Sequence, residues 1–473
     1  MITNAPFDLQ RFFKKWRMSP LIAAAHRQPL LIDIVLTLMN SSLFAADYKS
    51  EPYWWLAAPR PTLPHSLPPA ACDVAIIGSG YTGLAAALEL ARAGRQVLVL
   101  DGEDAGWGCS TRNGGQVSSS IKPSYDELEA HHGAASALAI RREGLNALEW
   151  IEDFIRRERI DCNFSKVGRF HAAHHGAAFK ALVREAKLQP KEVEVEYHVI
   201  SRSEQHTEIG SDLYHGGILY PAHASLHPGL FHQGLLDRVL QAGVQVIAKC
   251  RVHALFNERG HFRIETALGV TQAREVIIAS NGYTGSVTPS LRRRIIPIGS
   301  HIIATELLPE AVTNRLIPKN RVISDSRKVV FYFRLSEDRR RVLFGGRVAA
   351  SETNPDISAV PLHRHMTRIF PELSTTRISH SWGGLVAYTF DTLPHLGRHS
   401  DGIHYCMGYC GSGVSLAPYF GTRLAQQLLG RPEGRTALDG LQFGTRPLYS
   451  GNPWFLPWTI AYYRLRDRLP MVW

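Results

Sequence analysis

The chain has 473 residues, of which 45% are hydrophobic and 20% are charged, as in an ordinary globular protein. This length predicts two or more interleaved domains with an ample core. The net charge of +11 comes from basic residues spread along the chain, without an accompanying nucleic-acid-binding motif. These features argue against a nucleic-acid-binding protein and indicate a bias towards anionic ligands or surfaces.

Residues 1–48 precede the first clear structural motif and have a basic start. The apolar run Leu30–Met39 contains Asp33 and is too short to span a bilayer, which needs about 20 residues. Leu43-Phe44-Ala45-Ala46 is a poor match to a secretory cleavage site. We therefore predict a disordered extension that is dispensable for function. An upstream start codon, with Met39 as the true first residue, remains an alternative.

Two short segments lead from this extension into the fold. Tyr53-Trp54-Trp55 is aromatic enough to dock on the body of the protein. The proline-rich connector Pro59–Pro69 can neither pair in a sheet nor continue a helix.

Residues 72–101 have the pattern of a βαβ unit. Val74–Ile77 is a short apolar run, typical of a strand buried on both faces. Leu84–Ala93 is rich in Ala and Leu and predicts a helix, which ends at Gly94. A second apolar run, Gln96–Leu100, is followed directly by Asp101.

The turn between the first strand and the helix reads G-x-G-x-x-G and predicts a dinucleotide site. Gly78 permits a tight turn, Gly80 admits a pyrophosphate close to the backbone, and Gly83 allows close helix–strand packing. The phosphates would bind the free N–H groups at the helix N-terminus. Asp101 is placed to accept hydrogen bonds from the ribose hydroxyls. The remaining residues assigned to this turn are Ser79, Tyr81 and Thr82.

A second glycine-rich segment, Gly106–Gln116, forms a loop able to wrap a polar planar ligand. It resembles the G-x-S-x-R-N-G-G-Q loop of the FAD-dependent oxidoreductases of the D-amino-acid oxidase and glycine oxidase superfamily. The resemblance implies noncovalent FAD, because Cys109 lies in no attachment motif that we recognise. The residues it assigns to FAD are Gly108, Ser110, Thr111, Arg112, Asn113, Gly114, Gly115 and Gln116.

The resemblance is greatest to the gamma-glutamylputrescine oxidoreductase branch and covers about Tyr53 to Leu469. The segments that carry it outside the glycine loops are Ile160–Cys162, Leu316–Asn320, Tyr332–Leu335, Phe344–Gly346 and Ala461–Leu469. By the same resemblance, Val252 offers its backbone to the adenine and Asn281 follows a strand that ends beside the cofactor. The turn Gly411-Ser412-Gly413-Val414, at a helix start, would offer backbone N–H groups to the flavin. Ser412 replaces the usual histidine, so only a backbone role carries over.

The remaining periodicities predict helices over Tyr125–Arg159 and Leu226–Gln241, and strands over Ser165–His171 and Val244–Val252. Ile295–Thr305, Arg321–Leu335 and Arg341–Val348 are predicted strands of an antiparallel sheet. His171, His174 and His175 could suggest a metal site. No carboxylate or cysteine completes a ligand set, so we interpret them as solvated histidines at a helix start and predict no metal.

The six cysteines lack paired short spacing and indicate reduced thiols in a cytoplasmic protein. Cys406 and Cys410 are spaced C-x-x-x-C, which does not favour a redox pair. We predict an α/β fold with a Rossmann-type FAD domain (71–160, 215–295, 380–430) and a largely antiparallel α+β substrate domain (160–215, 295–380). A C-terminal tail (431–473) would pack on the body.

The resemblance implies oxidation of an amine C–N bond by hydride transfer to flavin N5, followed by imine hydrolysis to an aldehyde. Peroxide would form on reoxidation by dioxygen. A dehydrogenase passing electrons to a carrier, and less readily a non-redox FAD scaffold, are alternatives. No catalytic side chain is indicated.

Four residues are candidates for substrate binding: Tyr332, Arg334, Arg347 and Trp382. An arginine fork beside aromatic walls suits a carboxylate at the far end of the substrate amine, as in gamma-glutamylputrescine. The alternative is that both arginines face solvent.

Overall fold

The computed structural model describes residues 43–258, 260–347 and 353–467. Their strands form two large sheets, a cofactor sheet and a substrate sheet, and a two-stranded ribbon. Ten α-helices occur in these ranges. The predicted α/β fold class is confirmed.

The cofactor sheet has a parallel centre in the order β19-β12-β2-β3-β9. An antiparallel meander β10-β11-β12 and the hairpin β18-β19 extend it. The strands are β2 Ala71–Ile77, β3 Val97–Leu100, β9 Gln245–Ile247, β10 Val252–Glu258, β11 His261–Thr266, β12 Gly269–Ile278, β18 His395–Arg398 and β19 His404–Met407.

The substrate sheet has nine strands in the order β1-β17-β13-β16-β15-β14-β5-β7-β6. Only the pairs β1–β17 and β14–β5 are parallel. The strands are β1 Phe44–Lys49, β5 Arg169–Ala172, β6 His198–Ile200, β7 Gly217–Tyr220, β13 Ile296–Thr305, β14 Val322–Asp325, β15 Phe331–Leu335, β16 Val342–Gly346 and β17 Ile378–Tyr388. The ribbon pairs β4 (Gln116–Val117) with β8 (Ala224–Ser225).

Four helices share one hydrophobic core with the cofactor sheet: α1 Tyr81–Arg92, α3 Ala134–Glu158, α5 Pro228–Gln241 and α9 Gly413–Leu428. The other helices are α2 Tyr125–His132, α4 Gly176–Lys187, α6 Pro289–Arg292, α7 Glu310–Leu316, α8 Pro355–Ile369 and α10 Leu456–Arg466. Helix α8 packs on the substrate sheet and contributes to a second core. Within the described ranges, no helix combines the length and hydrophobicity needed to span a membrane.

The prediction of disorder for residues 1–48 is wrong for its last part. Phe44–Lys49 forms edge strand β1, which pairs with β17. Phe44 and Tyr48 pack against the core of the substrate domain, and Tyr48 donates a hydrogen bond to Asp356 over 2.5 Å. An edge strand of this kind forms through partners distant in sequence, which its local pattern does not reveal. Residues 1–42, which are the rest of the segment predicted to be dispensable and include Met39, lie outside the described residues.

The predicted domain boundaries also need correction. Strand β17 begins at Ile378 and lies beside β13 in the substrate sheet, although residues from 380 were assigned to the FAD domain. Strand β7 likewise belongs to the substrate sheet, although residues from 215 were assigned to the FAD domain. Both strands lie at a crossover between the two sheets, where composition does not indicate which sheet they join.

His171 and His174 are bonded within the fold, contrary to the prediction of solvated histidines at a helix start, whereas His175 does begin a helix. His171 lies in β5 and hydrogen-bonds Ser324 Oγ over 2.9 Å, and His174 bonds Ser326 Oγ over 2.6 Å. Burial lowers the pKa of each ring to about 3, so both are neutral. His175 caps α4 by accepting from the Ala178 N–H over 2.9 Å. In the part of the chain described here, no group of three or more His, Cys, Asp or Glu could hold a metal ion.

Candidate functional site

The turn from β2 into α1 has the geometry that the glycine motif predicts. Gly78 adopts φ +111°, which L-residues avoid. A Cβ on Gly83 would lie 2.0 Å from the Gly78 carbonyl oxygen, so only glycine lets the helix approach the turn. Gly80 is the N-cap of α1, and the next N–H, from Tyr81, donates to Ser110 Oγ over 2.9 Å. The two glycine loops therefore meet at the helix N-terminus, where an anion is favoured.

Asp101 follows β3 and links the turn to the neighbouring strand. Its carboxylate accepts from the Ser79 N–H over 2.8 Å, from Ser79 Oγ over 2.5 Å and from the Glu103 N–H over 3.0 Å. Burial raises the pKa of this carboxyl, and the hydrogen bonds oppose that rise. Asp101 thus orders the first glycine turn as well as lining the cavity beside it.

The second glycine loop is held by its own side chains. Asn113 Nδ2 donates to the carbonyls of Cys109 and Ser110, both over 3.0 Å, and its Oδ1 accepts from the Gly115 N–H over 2.8 Å. Arg112 donates to the Gly383 carbonyl of β17 over 3.0 Å. These bonds fix the loop between the two sheets, and most of its residues line the cavity.

Two further bonds tie the second glycine loop to distant parts of the fold. Gln116 Nε2 donates to the Ile323 carbonyl of β14 over 3.1 Å. Thr111 Oγ1 donates to the Gly106 carbonyl over 2.7 Å and accepts from the Trp55 indole over 3.0 Å. The bond from Trp55 docks the aromatic segment at residues 53–55 on this loop.

The remaining predicted cofactor residues converge on the same space. Asn281 Oδ1 accepts from the Gly408 N–H over 2.9 Å and so joins the end of β12 to the turn before α9. Ser412 is the N-cap of α9, and Gly411 before it has φ +98°. Val252, at the start of β10, also lines the cavity.

One cavity of about 1360 Å³ lies between the two sheets. This volume exceeds the roughly 300–1,000 Å³ of a typical small-molecule site and suits a dinucleotide with a substrate beside it. Of the predicted cofactor residues, all but four line it; Ser79, Gly83, Thr111 and Gly115 support the turns from behind. The paired glycine loops, the helix N-terminus and the cavity volume together fit FAD.

Two of the four predicted substrate residues face this cavity. The Tyr332 hydroxyl hydrogen-bonds Ser300 Oγ over 2.9 Å, and its ring lies against Gly114 of the second glycine loop. Burial raises the pKa of Tyr332 to about 12, so the phenol stays protonated. Arg347, after β16, donates to the Tyr388 hydroxyl, and its guanidinium lies 4.7 Å from the centre of that ring.

Arg334 does not line the cavity, contrary to the prediction of an arginine fork. Arg334 lies two residues after Tyr332 in β15, so both side chains are on the same face of the strand. The second glycine loop and Trp54 cover Arg334 at that position. Its guanidinium donates to the Leu226 carbonyl over 2.8 Å and to Glu337 over 3.0 Å. Arg334 therefore supports the fold and does not face solvent either.

Trp382 also lies outside the cavity. It is fully buried, and its indole donates to the Arg112 carbonyl over 2.9 Å. Its place in the core between β17 and the second glycine loop makes it a support for that loop, which corrects its assignment to substrate binding.

The sequence analysis missed a set of basic residues that line the cavity: Lys122, Arg169, Arg327 and Lys328. Lys122 follows the ribbon strand β4. Burial, then the positive charge of Arg347, lowers the pKa of Lys122 to about 8. Arg327 is paired with the buried Asp325. Apart from the position of Lys122 shortly after the glycine loop, no sequence signal distinguishes these cations from surface bases.

The last helix, α10, also lines the cavity, with residues along its length from Leu456 to Arg466. Its inner side chains Leu456 and Ile460 pack on Val329. The Asp467 carboxylate after it accepts from the Lys328 and Val329 N–H groups over 2.9 and 3.0 Å. These contacts position α10 beside the segment that carries Arg327 and Lys328.

Comparisons with known proteins show the family to which this chain belongs. The family model described as "DAO: FAD dependent oxidoreductase" matches residues 73–427. The gamma-glutamylputrescine oxidoreductase of Escherichia coli K12 is 32% identical over 92% of this chain and 100% of its own length. A probable oxidoreductase, OrdL, of Rhizobium meliloti is 34% identical over 88% of this chain and 97% of its own length.

Among solved structures, glycine oxidase from Geobacillus kaustophilus matches with a TM-score of 0.68 over 80% of this chain and 99% of its own. At 17% identity, this likeness shows the fold alone. The predicted cofactor, FAD, and the predicted enzyme class are confirmed by the family. The chain therefore belongs to the DAO family of FAD-dependent oxidoreductases, whose members act on amines and amino acids.

Proposed function

We propose that this enzyme oxidises the C–N bond of an amine whose far end carries a carboxylate, as gamma-glutamylputrescine does. The observation that carries the proposal is the pair of cations, Arg347 and Lys122, on the wall of the cavity. The name of the Escherichia coli relative supports this substrate class. An arginine beside a tyrosine hydroxyl and a neighbouring ammonium can hold a carboxylate by charge-assisted hydrogen bonds.

The turns at Gly78–Gly83 and Gly106–Gln116 would hold FAD, which would supply the hydride acceptor for oxidising the C–N bond to an imine; hydrolysis of the imine would give an aldehyde. The chain's own contribution is to hold the substrate in position. Tyr332 stays protonated and bonded to Ser300, so it presents an aromatic wall without a charge. Holding the far end of an extended amine restricts the motion of the reacting carbon.

The cavity also favours the reactive form of the substrate. Hydride leaves a neutral amine far more readily than an ammonium, because the nitrogen lone pair stabilises the developing iminium. Arg169, also on the cavity wall, adds positive potential that lowers the pKa of a bound ammonium. His171, neutral because burial lowers its pKa to about 3, adds no charge to the wall. No general base is then required at the pH where the amine is already neutral.

The experiment is anaerobic reduction of the purified holoenzyme by each substrate. The rate of reduction is measured as the loss of flavin absorbance. Gamma-glutamylputrescine, free putrescine, sarcosine and a D-amino acid are compared at equal concentration. We expect the conjugate to reduce the flavin fastest. If free putrescine reduces the flavin as efficiently as the conjugate, the enzyme does not recognise a carboxylate. If only the amino acids reduce the flavin, the proposed class of amine substrate is wrong as well.

Readmission of oxygen identifies the electron acceptor. We propose an oxidase, in which dioxygen reoxidises the flavin and forms one peroxide per substrate consumed. Peroxide is measured with a peroxidase-coupled dye. A reduced flavin that persists in air and is reoxidised by an artificial quinone would instead indicate a dehydrogenase that passes electrons to a carrier.

A further inference from the structure

We propose that helix α10 forms the wall of the cavity along which the middle of an extended amine lies, and that Thr459 leaves the room the substrate needs there. This inference rests on the proposed oxidation of an extended amine and adds the element that selects for its length. Helix α10 lies beyond the residues matched by the family model, which end at 427. A wall outside the matched region can differ between branches without disturbing the cofactor turns.

Three side chains on one face of β13 mark successive levels of the cavity. Ser300, Ile298 and Ile296 occupy alternate positions of the strand, and all three line the cavity. Ser300 is bonded to Tyr332, whose ring lies against the second glycine loop, so this level is the cofactor end. Ile296 is opposite Tyr388, the partner of the arginine proposed to bind the carboxylate, so this level is the far end. Four residues of a strand separate the two levels by about 14 Å.

Helix α10 meets the cavity between these two levels. Its side chains Leu456 and Ile460 form a small core with Val329, and Ile298 packs against that core. Ile298 is the middle one of the three β13 side chains. An amine that extends from the cofactor end to the far end therefore passes α10 with its middle part.

A second row of side chains on α10 borders the cavity. Phe455, Thr459 and Tyr463 are half-buried, follow the spacing i, i+4 and i+8, and line the cavity. The Thr459 hydroxyl donates to the Phe455 carbonyl over 3.2 Å, so it is satisfied within the helix. A small side chain between two aromatic ones leaves a gap whose walls suit the methylene groups of an aliphatic chain.

The end of α10 is anchored by the Asp467 carboxylate. It accepts from the Lys328 and Val329 N–H groups over 2.9 and 3.0 Å, and Asp467 itself does not line the cavity. Loss of these bonds would loosen the wall without removing a group that borders the substrate. Asp467 is therefore a positioning residue for this wall.

The test places a larger side chain at Thr459 in the FAD-loaded full chain. Anaerobic flavin reduction is measured with gamma-glutamylputrescine, with the analogue in which a carboxamide replaces its carboxylate, and with butylamine, which has the reacting end alone. We expect Thr459→Trp to lower the efficiency of reduction, relative to the wild type on the same compound, about 30-fold for both conjugates and about threefold for butylamine. Equal losses on the two conjugates distinguish this wall from Arg347, which acts on the charge.

The matched control adds the same side chain outside the cavity. Ala461 is an exposed residue of α10 that does not line the cavity, and Ala461→Trp should change none of the three efficiencies. Thr459→Leu, a smaller enlargement, should give a weaker loss in the same order. Asp467→Ala should raise KM for the conjugates more than it lowers kcat, and Asp467→Asn, which keeps an acceptor oxygen, should recover part of that loss.

Flavin content shows which variants are folded, and Thr459→Leu decides the outcome if Thr459→Trp does not retain flavin. Loss of the conjugates with retention of butylamine supports the proposal. Conjugates that reduce the Thr459 variants as efficiently as the wild type, or an equal loss for all three compounds, would overturn it and leave the proposed function standing. If no amine reduces the wild-type flavin, the proposed function is wrong and this inference is wrong with it.

Discussion

The two halves of the cavity are built in different ways. On the side of the cofactor sheet, the wall consists of turns whose shape depends on glycines and on backbone N–H groups, as at Gly78 and Gly83. On the side of the substrate sheet, the wall includes single side chains on strands or directly after them, such as Tyr332 and Arg347. Backbone turns tolerate almost no substitution, whereas side chains on strands can change one at a time. The cofactor side should therefore control whether FAD binds, and the substrate side which amine reacts.

The largest expected effect is at Gly83. A methyl group there would lie 2.0 Å from the Gly78 carbonyl oxygen, within the turn predicted to hold the phosphates. We expect Gly83→Ala to give protein without flavin or no soluble protein, measured by the ratio of flavin to protein absorbance. The control is Gly94→Ala at the other end of α1, where a Cβ meets nothing within 4 Å. That change should cost about 1 kcal/mol through its positive φ and leave a yellow protein. A yellow Gly83→Ala variant would show that this turn does not control whether FAD binds.

Gly80→Leu tests the same side without disturbing helix packing as severely. Its Cβ would meet Ser110 Oγ at 2.8 Å, and the larger side chain would enter the place of the pyrophosphate. We expect a folded, colourless protein by circular dichroism and absorbance. Full flavin occupancy would contradict the assignment of this turn to the pyrophosphate.

Arg347→Met should leave flavin content unchanged and lower kcat/KM for gamma-glutamylputrescine by about 100-fold, the value of about 3 kcal/mol for a lost charge-assisted bond. Arg347→Lys keeps the charge without the fork and should recover only part of this loss. The activity with free putrescine, measured beside it, should change little. An equal loss for both substrates would show that Arg347 maintains the cavity and does not bind a carboxylate.

Arg334→Met should lower stability and leave substrate binding nearly unchanged, the opposite of Arg347→Met. Removal of this guanidinium leaves the Leu226 carbonyl and Glu337 without their partner, so we expect the free energy of unfolding to fall by about 3 kcal/mol. KM should stay within about twofold of the wild-type value, since the residue lies outside the cavity. Arg340→Met, on the exposed turn after β15, is the control and should change neither quantity. A raised KM with unchanged stability would restore the predicted arginine fork.

The smallest expected effect is a pH dependence that comes from Lys122. Its pKa of about 8 means that the ammonium is present below pH 8 and lost above it. Binding of a carboxylate should therefore weaken as pH rises through about 8, by about tenfold. The butyl amide of glutaric acid, which has a carboxylate and no amine, isolates this effect when its binding is followed by flavin absorbance. Lys122→Met should bind it weakly at all pH values; an unchanged pH profile would exclude Lys122 from the site.

The sequence predicts the cofactor side well because each turn there is encoded locally. The G-x-G-x-x-G spacing, the helix that follows and Asp101 are close in the chain, and their geometry follows from backbone sterics. Even there, the sequence did not reveal that Asp101 is bonded to Ser79 or that Ser110 caps α1. Those contacts join segments separated by about twenty to thirty residues.

The substrate side is less predictable because alternation along a strand specifies a face and not a position in the cavity. Arg334 and Tyr332 share a face, but only Tyr332 reaches the cavity, since the second glycine loop covers the end of β15. Lys319, in one of the segments that carry the family resemblance, also has a role that the sequence alone does not reveal. It pairs with the buried Glu208 over 2.7 Å, and Arg321 joins it over 2.8 Å, so this conspicuous motif is structural.

The most direct test of the proposed substrate site combines a change in the enzyme with a change in the substrate. Anaerobic flavin reduction is measured for the wild type and Arg347→Met, each with gamma-glutamylputrescine and with the analogue in which a carboxamide replaces the carboxylate. We predict that the wild type loses about 100-fold on the analogue while Arg347→Met distinguishes the two substrates by less than about threefold, a coupling of about 2 kcal/mol. Equal reduction of the wild type by both substrates, or losses that simply add, would contradict a carboxylate held by Arg347.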